Sequence, residues 1–302
     1  MEESRPFISV IVPTYERAGQ LSICLGALAA QDYPGDRFEV LVVDDGSLTS
    51  LDDSVETFRH QLNVRLLKQS HSGPAAARNY GASHARGSFL AFTDDDCSPA
   101  TGWLRTLATT FISCSDCTLG GRTINELPNN PYSTASQLIT DYLYANWNED
   151  PTRATFFATY NLAIPKNCFH AVGEFDAGWT RPAGEDRDLC DRLITRGYRL
   201  MYVPDALVRH AHSLTLRTFW LQHFNYGGSS YHLHRMRAHR RTRAIRVEPL
   251  GFYLRMVGYP FARASGRNAV LLAVLVSVAQ IAHAAGFLWE RAMRGRTRRR
   301  AG

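Results

Sequence analysis

The stretch Phe89-Leu-Ala-Phe-Thr-Asp-Asp-Asp-Cys97 joins a short apolar run to three consecutive carboxylates. An apolar run of this length, ended by a turn signal, is typical of a buried strand in a parallel sheet. Because such sheets bind ligands just beyond the carboxyl ends of their strands, Asp94, Asp95 and Asp96 are expected at the mouth of a site. Three adjacent acids repel one another and favour a positive partner, such as a divalent cation that carries a phosphate. A solvated acidic turn is the alternative interpretation.

The segment before this stretch alternates apolar runs with helical patterns. Strands are predicted at residues 7–12, 38–43 and 64–67, which are rich in Val, Ile and Leu. Helices are predicted at residues 20–30, 51–62 and 75–85. The resulting β-α-β-α-β-α-β order predicts an α/β fold with a mostly parallel, Rossmann-like sheet flanked by helices.

Three of the predicted strands end in polar or acidic loops, at residues 13–17, 44–47 and 94–97. If the strands are parallel, all three loops lie at one edge of the sheet. Neither G-x-G-x-x-G nor G-x-x-x-x-G-K-S/T follows any of these strands. The dinucleotide-binding and P-loop classes therefore lose their main support.

A second pair of carboxylates lies at the start of a helical pattern later in the chain. Glu185 and Asp186 fall at or before the first turn of this predicted helix. Acids at that position stabilise a helix through its dipole by about 0.3–1 kcal/mol. The alternative is that one of them is a general base at the edge of a cleft. His210 follows a strand-like run at residues 200–203 and is a candidate metal ligand beside the carboxylates.

The composition is that of a globular protein with an unevenly distributed charge. Of the 302 residues, 45% are hydrophobic and 21% are charged, and the net charge is +6. From Arg235 onward there are 15 Arg and 2 Glu, a net charge of +13, so the preceding part carries −7. Six Cys at irregular positions do not indicate a disulfide framework, and Cys114 and Cys117 lack the further pair that a zinc site needs. These observations favour a reducing, cytoplasmic compartment.

Five motifs occur in an order that resembles a known family. They are Val10-Ile-Val-Pro-Thr-Tyr-Glu-Arg17, Val42-Val-Asp-Asp-Gly-Ser47, Gly73-Pro-Ala-Ala-Ala-Arg-Asn79, Asp94-x-Asp96 and Gly184-Glu-Asp-Arg-Asp-Leu-Cys190. Together they look like the motifs of a family 2 glycosyltransferase with the GT-A fold. The resemblance covers roughly residues 7 to 230.

The resemblance implies an inverting transfer of a sugar from a nucleotide-diphosphate donor, assisted by Mg²⁺ or Mn²⁺. The resemblance assigns the nucleoside to Pro13, Thr14, Tyr15, Glu16, Asp44 and Asp45, and the ribose to Asp94, beside Asp95. Arg78 is expected either to offset the clustered acids or to approach a phosphate of the donor. The metal would be held by Asp94 and Asp96, with His210 at a position that touches the metal or the diphosphate in some relatives. The catalytic base would be Asp186, with Glu185 as the alternative.

A departure from the family pattern bears on the product. Processive polysaccharide synthases carry a Gln-x-x-Arg-Trp sequence after the base, and residues 219–227 lack it. The resemblance therefore favours transfer of a single sugar to a glycan or lipid-linked acceptor.

The C-terminal part is predicted to be a separate, membrane-associating helical appendage. Residues 1–234 would form the catalytic domain, with a nucleotide-binding half at about 1–123 and an acceptor half at about 124–234, and residues 235–302 the appendage. Residues 269–289 contain no formal charge and have Arg on both sides, which favours a helix that lies on the cytoplasmic face of an anionic membrane, or that pairs with the apolar residues 249–261, over a single span. A helix packed on the catalytic domain or in an oligomer is the alternative interpretation. The Arg-rich segment 234–246 lacks interleaved aromatic residues, so no nucleic-acid partner is expected.

Two other functions are compatible with parts of this pattern. A sugar-phosphate nucleotidyltransferase would use a similar α/β sheet, but its first loop is Gly-rich, and residues 13–17 contain no Gly. A non-catalytic membrane adaptor of the same fold would be expected to have lost the acids, and all of them are present.

Overall fold

The computed structural model describes residues 5–178, 184–240 and 248–300, and residues 241–247 of the basic segment lie outside this range. It divides into two compact units. The first comprises the described residues within Met1–Glu126, Trp147–Thr180 and Glu185–Ala211. The second comprises the described residues within Leu127–Asn146, Arg181–Gly184 and His212–Gly302. The predicted domain boundary at residue 234 stays a prediction.

The first unit is built on one sheet of eight strands in the order β3-β2-β1-β4-β7-β6-β8-β5. The strands are β1 (Ile8–Thr14), β2 (Phe38–Asp44), β3 (Val64–Lys68), β4 (Phe89–Phe92), β5 (Cys97–Pro99), β6 (Thr118–Asn125), β7 (Leu162–Pro165) and β8 (Leu200–His210). The first four strands pair in parallel, whereas β7 runs antiparallel to β4 and β6, and β5 runs antiparallel to β8. The α/β class with a flanked, Rossmann-like sheet is confirmed, and the sheet is mixed beyond β4.

Among the described residues, seven α-helices lie between the strands along the chain, and three more follow the last strand. They are α1 (Ala18–Ala29), α2 (Asp52–Glu56), α3 (Pro74–His84), α4 (Trp103–Ser113), α5 (Pro131–Trp147), α6 (Lys166–Ala171), α7 (Glu185–Thr195), α8 (Leu216–Arg240), α9 (Leu250–Gly258) and α10 (Gly266–Arg300). Because strand side chains alternate between faces, Val10 and Val12 join the core that contains α1 and α4. On β1, Ile11 points to α3, where a Cβ on Gly81 would lie 2.6 Å from its Cγ2. This close approach fixes α3, and with it Arg78, against the centre of the sheet.

The first strand is longer than expected at its carboxyl end. Pro13 was expected to end it because proline cannot donate to a ladder. Instead, β1 continues to Thr14, and Pro13 lies opposite Val43 of β2. The ladder to β4 ends with Thr93 N donating to Ile11 O at 3.2 Å. The missing donor of Pro13 therefore falls on the side where β4 has already ended.

Two further expectations differ from the structure. The helix expected over residues 51–62 is the short α2, Asp52–Glu56. Cys114 and Cys117 form a disulfide, although no disulfide was expected, and the four other Cys are free and buried. The number and irregular spacing of the Cys argued against a framework of several disulfides. They did not bear on a single bond between two Cys three positions apart.

In the second unit, α8 and α10 pack closely through small residues. A Cβ on Gly227 would lie 1.9 Å from His283 O, and a Cβ on Gly286 would lie 1.8 Å from Phe224 O. Ser230 Oγ and His283 Nε2 are 3.0 Å apart between the same two helices. Only glycine allows the two backbones this approach.

One face of α10 is apolar and exposed. Its exposed side chains include Val270, Val274, Ile281 and Leu288, each at least half accessible, whereas Val276 and Ala279 on another face are buried. By length and composition, Gly266–Met293 is the one helix among the described residues that could cross a membrane, with 39% of its apolar window buried. Buried core helices meet the same criterion, so this observation alone is weak support for membrane association.

Candidate active site

The three consecutive acids form a tight turn at the carboxyl end of β4. Cys97 N donates to Asp94 O at 3.1 Å, which closes the turn. Directly after it, β5 pairs antiparallel with β8, and Cys97 lies opposite His210. This register places His210 Nε2 3.2 Å from Asp96 Oδ1. The candidate ligand at the end of β8 therefore lies beside Asp96.

The donor set at this point suits a divalent cation. Asp96 contributes carboxylate oxygens and His210 an imidazole nitrogen, a combination that suits ions such as Mn²⁺. The Tyr160 ring lies 4.7 Å from the His210 ring, centroid to centroid, and limits its orientation. Asp94 lies two residues before Asp96 in the same turn, and its side chain is about a quarter exposed. The residues present thus fit a metal ion.

Arg17 is the positive partner of two of the acids. Its Nη1 lies 3.2 Å from Asp95 Oδ1 and 3.3 Å from Asp96 Oδ2. Asp95 is buried, and its Oδ2 also accepts a hydrogen bond from Thr14 Oγ1 at 2.8 Å. Burial raises the pKa of Asp95 to about 6 despite the opposing effects of Arg17 and Thr14. Asp95 therefore ties the end of β1 to the acidic turn.

Arg78 of α3 joins the acidic turn to the first turn of α7. Its Nη2 donates to Asp94 Oδ1 at 2.7 Å, and its Nη1 donates to Glu185 Oε1 at 3.3 Å. Burial lowers the pKa of Arg78, but Asp94 and Glu185 outweigh it and the net shift is upward. The guanidinium is therefore a permanent buried charge between the two carboxylates.

The two acids at the start of α7 lie in different surroundings. Glu185 is buried, and burial first, then the neighbouring Asp186, raises its pKa to about 7. Asp186 is half-buried, and its Oδ1 accepts a hydrogen bond from Arg187 N at 2.7 Å. Both residues lie in the first helical turn, as the sequence pattern predicts. Asp186 is the more accessible of the two.

The acids that end β2 organise the loops beside them. Asp44 Oδ1 accepts from Ser47 N at 2.9 Å. Asp45 accepts from Gln69 Nε2 at 2.6 Å, from Ser72 N at 2.9 Å and from Gly73 N at 2.8 Å. Asp45 thus holds the segment that leads into α3, a role that its position in the sequence did not reveal.

The loop after β1 is locked to the loop after β2. Glu16 has a left-handed backbone, with φ of 56°. Its N donates to Ser47 Oγ at 2.9 Å, and its carboxylate accepts from Leu48 N. Tyr15 is 42% exposed, and its ring lies 4.4 Å from the His71 ring. These two rings form an accessible aromatic surface next to the acidic loops.

The structure places the sequence-predicted site residues at the carboxyl ends of strands, in the loops that follow them, and on α3 and the first turn of α7 in the first unit, and direct contacts join most of them. Sequence reasoning did not assign roles to Arg17, His71 or Tyr160. Arg17 could have been found, because it ends the first loop and three adjacent acids demand a cation. The ring contacts of His71 and Tyr160 depend on loop geometry that no local pattern encodes.

The comparison with protein families shows to which family the chain belongs. The model described as "Glycosyl transferase family 2" matches residues 9–175, more than half of the chain. The chain belongs to glycosyl transferase family 2. A second model, "Glycosyl transferase family group 2", matches residues 94–289 of the same chain.

Curated relatives of this glycosyltransferase carry the same activity in their names. Glycosyltransferase AglE of Haloferax volcanii is 30% identical over 221 residues, which are 70% of this chain and 68% of the relative. The pre-mycofactocin glycosyltransferase of Mycobacterium tuberculosis is 30% identical over 228 residues, which are 74% of this chain and 46% of the relative. The chain spans less than half of that second relative.

Solved structures confirm the GT-A-like fold of the family 2 enzyme. The mannosyltransferase PcManGT from Pyrobaculum calidifontis, in complex with GDP-Man and Mn²⁺, has a TM-score of 0.65 at 20% identity and covers 95% of this chain and 88% of its own. Residues 1–349 of S. aureus TarS, in complex with UDP-GlcNAc, have a TM-score of 0.55 at 18% identity, with 95% and 91% covered. At these identities the likeness concerns the fold alone.

Proposed function

We propose that the chain transfers a single sugar, with inversion at the anomeric carbon, from a nucleoside-diphosphate sugar to a hydroxyl of a glycan or lipid-linked acceptor. The observation that carries this proposal is the contact chain from Asp96 and His210 through the acidic turn and Arg78 to the first turn of α7. These contacts join Asp96 and His210, which can bind a metal ion, to two carboxylates that share one buried cation. The two carboxylates are Asp94 and Glu185, and the cation is Arg78. The donor complexes of PcManGT and TarS support a nucleotide-sugar donor.

The donor would be held by the loops after β1 and β2 and by the acidic turn. The nucleoside is assigned to Pro13, Thr14, Tyr15, Glu16, Asp44 and Asp45, on the geometry of the two interlocked loops. The exposed Tyr15 ring suits stacking on a base, since aromatic faces bind bases in this way. Asp45 acts here through the loop that it holds, because three donors already occupy its carboxylate.

A divalent ion would be held by Asp94, Asp96 and His210. When bound, it supplies Lewis-acid stabilisation of the charge that develops on the leaving diphosphate. Arg17 contributes a positive charge at the same carboxylates. Arg78 keeps Asp94 oriented toward the turn, because it is held from the opposite side by Glu185.

Asp186 would act as the general base. The acceptor hydroxyl must lose its proton as its oxygen attacks the anomeric carbon, so a carboxylate within hydrogen-bond reach is needed. Asp186 is half-buried and can meet an acceptor, whereas Glu185 is buried and bonded to Arg78. Glu185 is therefore assigned to positioning Arg78.

The experiment that tests the proposal is a thermal melt of the purified protein with UDP, GDP, dTDP or CDP, each with and without Mn²⁺. A ligand at a hundred times its Kd stabilises the folded protein by about 2.7 kcal/mol. We expect a metal-dependent shift with one nucleotide, and its loss in Asp96→Asn. The matched control is Asp53→Asn, an exposed acid on α2. The absence of any shift with all four nucleotides would overturn the donor assignment.

The helical second unit is proposed to contact the cytoplasmic face of a membrane, as the functional part of the appendage assigned to residues 235–302. The exposed apolar face of α10 and the exposed Leu250 and Leu254 of α9 support this, together with flanking Arg255 and Arg263. Apolar side chains flanked by cations suit an anionic lipid surface.

Cosedimentation with vesicles tests the membrane contact. Binding to phosphatidylglycerol vesicles, and not to phosphatidylcholine vesicles, is expected at low salt, with weakening at high salt. The triple variant Val270→Ser, Val274→Ser, Ile281→Ser should lose binding while its far-UV circular dichroism is unchanged. Equal binding of the wild type and the variant would rule out this face.

A further inference from the structure

A disulfide closes the turn between α4 and β6. Cys114 caps the end of α4, and Cys117 directly precedes the first residue of β6. Cys117 N donates to Cys114 O at 3.3 Å inside this turn. The four other Cys are free and buried, so the disulfide is what distinguishes this pair from them.

A cation lies beside one of the two sulfurs. Arg199 Nη2 is 3.1 Å from Cys114 Sγ and 3.3 Å from Asp116 Oδ1. Cys114 is 7% exposed, whereas Cys117 is fully buried. Cys114 is therefore the less deeply buried of the two, and an incoming thiolate reaches it first. Arg199 brings a positive charge to its sulfur, although the Asp116 carboxylate, with Oδ1 3.4 Å from the same Sγ, lies there too.

A surface pocket adjoins the same turn. Its volume is about 520 Å³, and its lining includes Ser115, which lies between the two Cys in the sequence, together with Phe89, Lys166 and His170. Neither Cys lines the pocket, so a small thiol held in it would lie beside the turn. Lys166 adds positive charge at its wall, which favours an anionic reductant such as a thiolate peptide.

The bond adds little to the stability of the fold and lies away from the transfer site. A disulfide stabilises mainly by closing a loop, and this one closes a sequence separation of only three residues. Strand β6 runs from Thr118, next to the disulfide, to Asn125, which lies opposite His210. At about 3.3 Å per residue, seven residues of strand separate the disulfide from His210 by roughly 23 Å.

We propose that Cys114 and Cys117 form a reversible dithiol–disulfide site that exchanges with small-molecule or protein thiols and takes no part in sugar transfer. A reductant thiolate attacks Cys114 Sγ, forms a mixed disulfide and displaces the Cys117 thiolate. A second reductant thiol then attacks the sulfur that the first reductant contributed to the mixed disulfide, and this releases the Cys114 thiolate beside Arg199. Two electrons pass to the protein, the two thiol protons pass to its cysteines, and the reductant leaves as a disulfide.

Alkylation of the native protein tests this exchange. The protein is equilibrated in reduced or oxidised glutathione, treated with N-ethylmaleimide and digested with trypsin, which yields both Cys in the single peptide 106–122. We expect an adduct on Cys114, the less buried of the two, after reduction, and after oxidation no adduct and a mass lower by two hydrogens. Cys168 and Cys190 should stay unmodified in both states, which reports that the fold is intact. A peptide that remains alkylated in oxidised glutathione, or that is reduced only in denaturant, overturns the proposal.

Two sets of variants separate exchange from structure. Arg199→Gln should slow reduction about fivefold at low ionic strength, the size of a unit charge at contact distance in water. Arg196→Gln removes an exposed charge on the preceding turn and should leave the rate unchanged. Cys114→Ser with Cys117→Ser should fold and retain transferase activity, and equal exchange rates in both Arg variants would rule out the role of Arg199.

Discussion

Arg78 and Glu185 are 107 positions apart in the sequence, yet Arg78 Nη1 lies 3.3 Å from Glu185 Oε1. The same guanidinium donates to Asp94 at 2.7 Å. One buried side chain on α3 therefore connects the turn after β4 to the first turn of α7. We assign donor binding to the first of these acidic segments and removal of the acceptor proton to the second.

Replacing this cation should be strongly destabilising. Arg78→Gln leaves Asp94 and Glu185 without their shared partner, and breaking a buried ion pair costs about 3–5 kcal/mol. We expect a loss of about 3 kcal/mol in urea denaturation at pH 8, above the folded-state pKa of Glu185. Arg105→Gln is the control, because its exposed pair with Asp32 should contribute under about 1 kcal/mol. Similar urea midpoints for the two variants would contradict the central role of Arg78.

The base assignment separates two neighbouring acids. Asp186→Asn should lower kcat by about 10²–10⁴, the usual contribution of a general base, while the KM for the donor stays within a factor of about two. Glu185→Gln keeps the volume and a hydrogen-bond acceptor for Arg78, so its loss in kcat should be smaller. Steady-state kinetics of both variants measures the difference.

A neighbouring acid controls for charge removal in this experiment. Asp191→Asn lies on the same helix, beyond its first turn, and should keep near wild-type kcat. Undiminished turnover in Asp186→Asn, or a larger loss in Glu185→Gln, would move the base to Glu185.

The acidic half of the site could be predicted from the sequence for a physical reason. Strands β1, β2 and β4 are apolar runs that end in polar loops, and parallel strands bring their carboxyl ends to one edge. The position of Glu185 and Asp186 in a first helical turn follows from helical periodicity. Local patterns therefore located these acids without any knowledge of distant contacts.

The remaining features depend on long-range pairing. The contact of Asp96 with His210 requires β5 to run antiparallel to β8, and no local pattern specifies that register. The continuation of β1 through Pro13 depends on where β4 ends. The hydrogen bonds of Asp45 depend on the path of the chain at residues 69–73. Each of these is decided by a neighbour far away in the sequence.

The raised pKa of Glu185 gives stability a specific pH dependence. Its folded-state pKa of about 7 lies above its ordinary value of 4.5, so the folded protein binds more protons than the unfolded chain between these values. This contribution to stability is fully present below about pH 4.5 and is lost as the pH rises through 7. The free energy of unfolding of the wild type, minus that of Glu185→Gln, should thus fall with pH by up to about 3 kcal/mol.

Urea denaturation at several pH values between 4.5 and 8 measures this difference. The comparison removes the other titrating groups, because they are common to both proteins. Glu56→Gln, an exposed acid on α2, should show a difference that is flat over the same range. A flat difference for Glu185→Gln as well would mean that folding does not raise the pKa of this carboxyl.

The close glycine contact between α8 and α10 leads to a prediction about the stability of the second unit. In Gly286→Ala the new methyl carbon would meet Phe224 O at 1.8 Å, so the helices must separate, and overpacking of this kind costs about 1–3 kcal/mol. Gly258→Ala is the control, because a Cβ there meets no atom within 4 Å and alanine favours the helix by about 1 kcal/mol over glycine. Thermal melts followed by circular dichroism should show a lower midpoint for Gly286→Ala and an equal or higher one for Gly258→Ala. Equal midpoints for the two variants would show that α8 and α10 do not depend on this close approach.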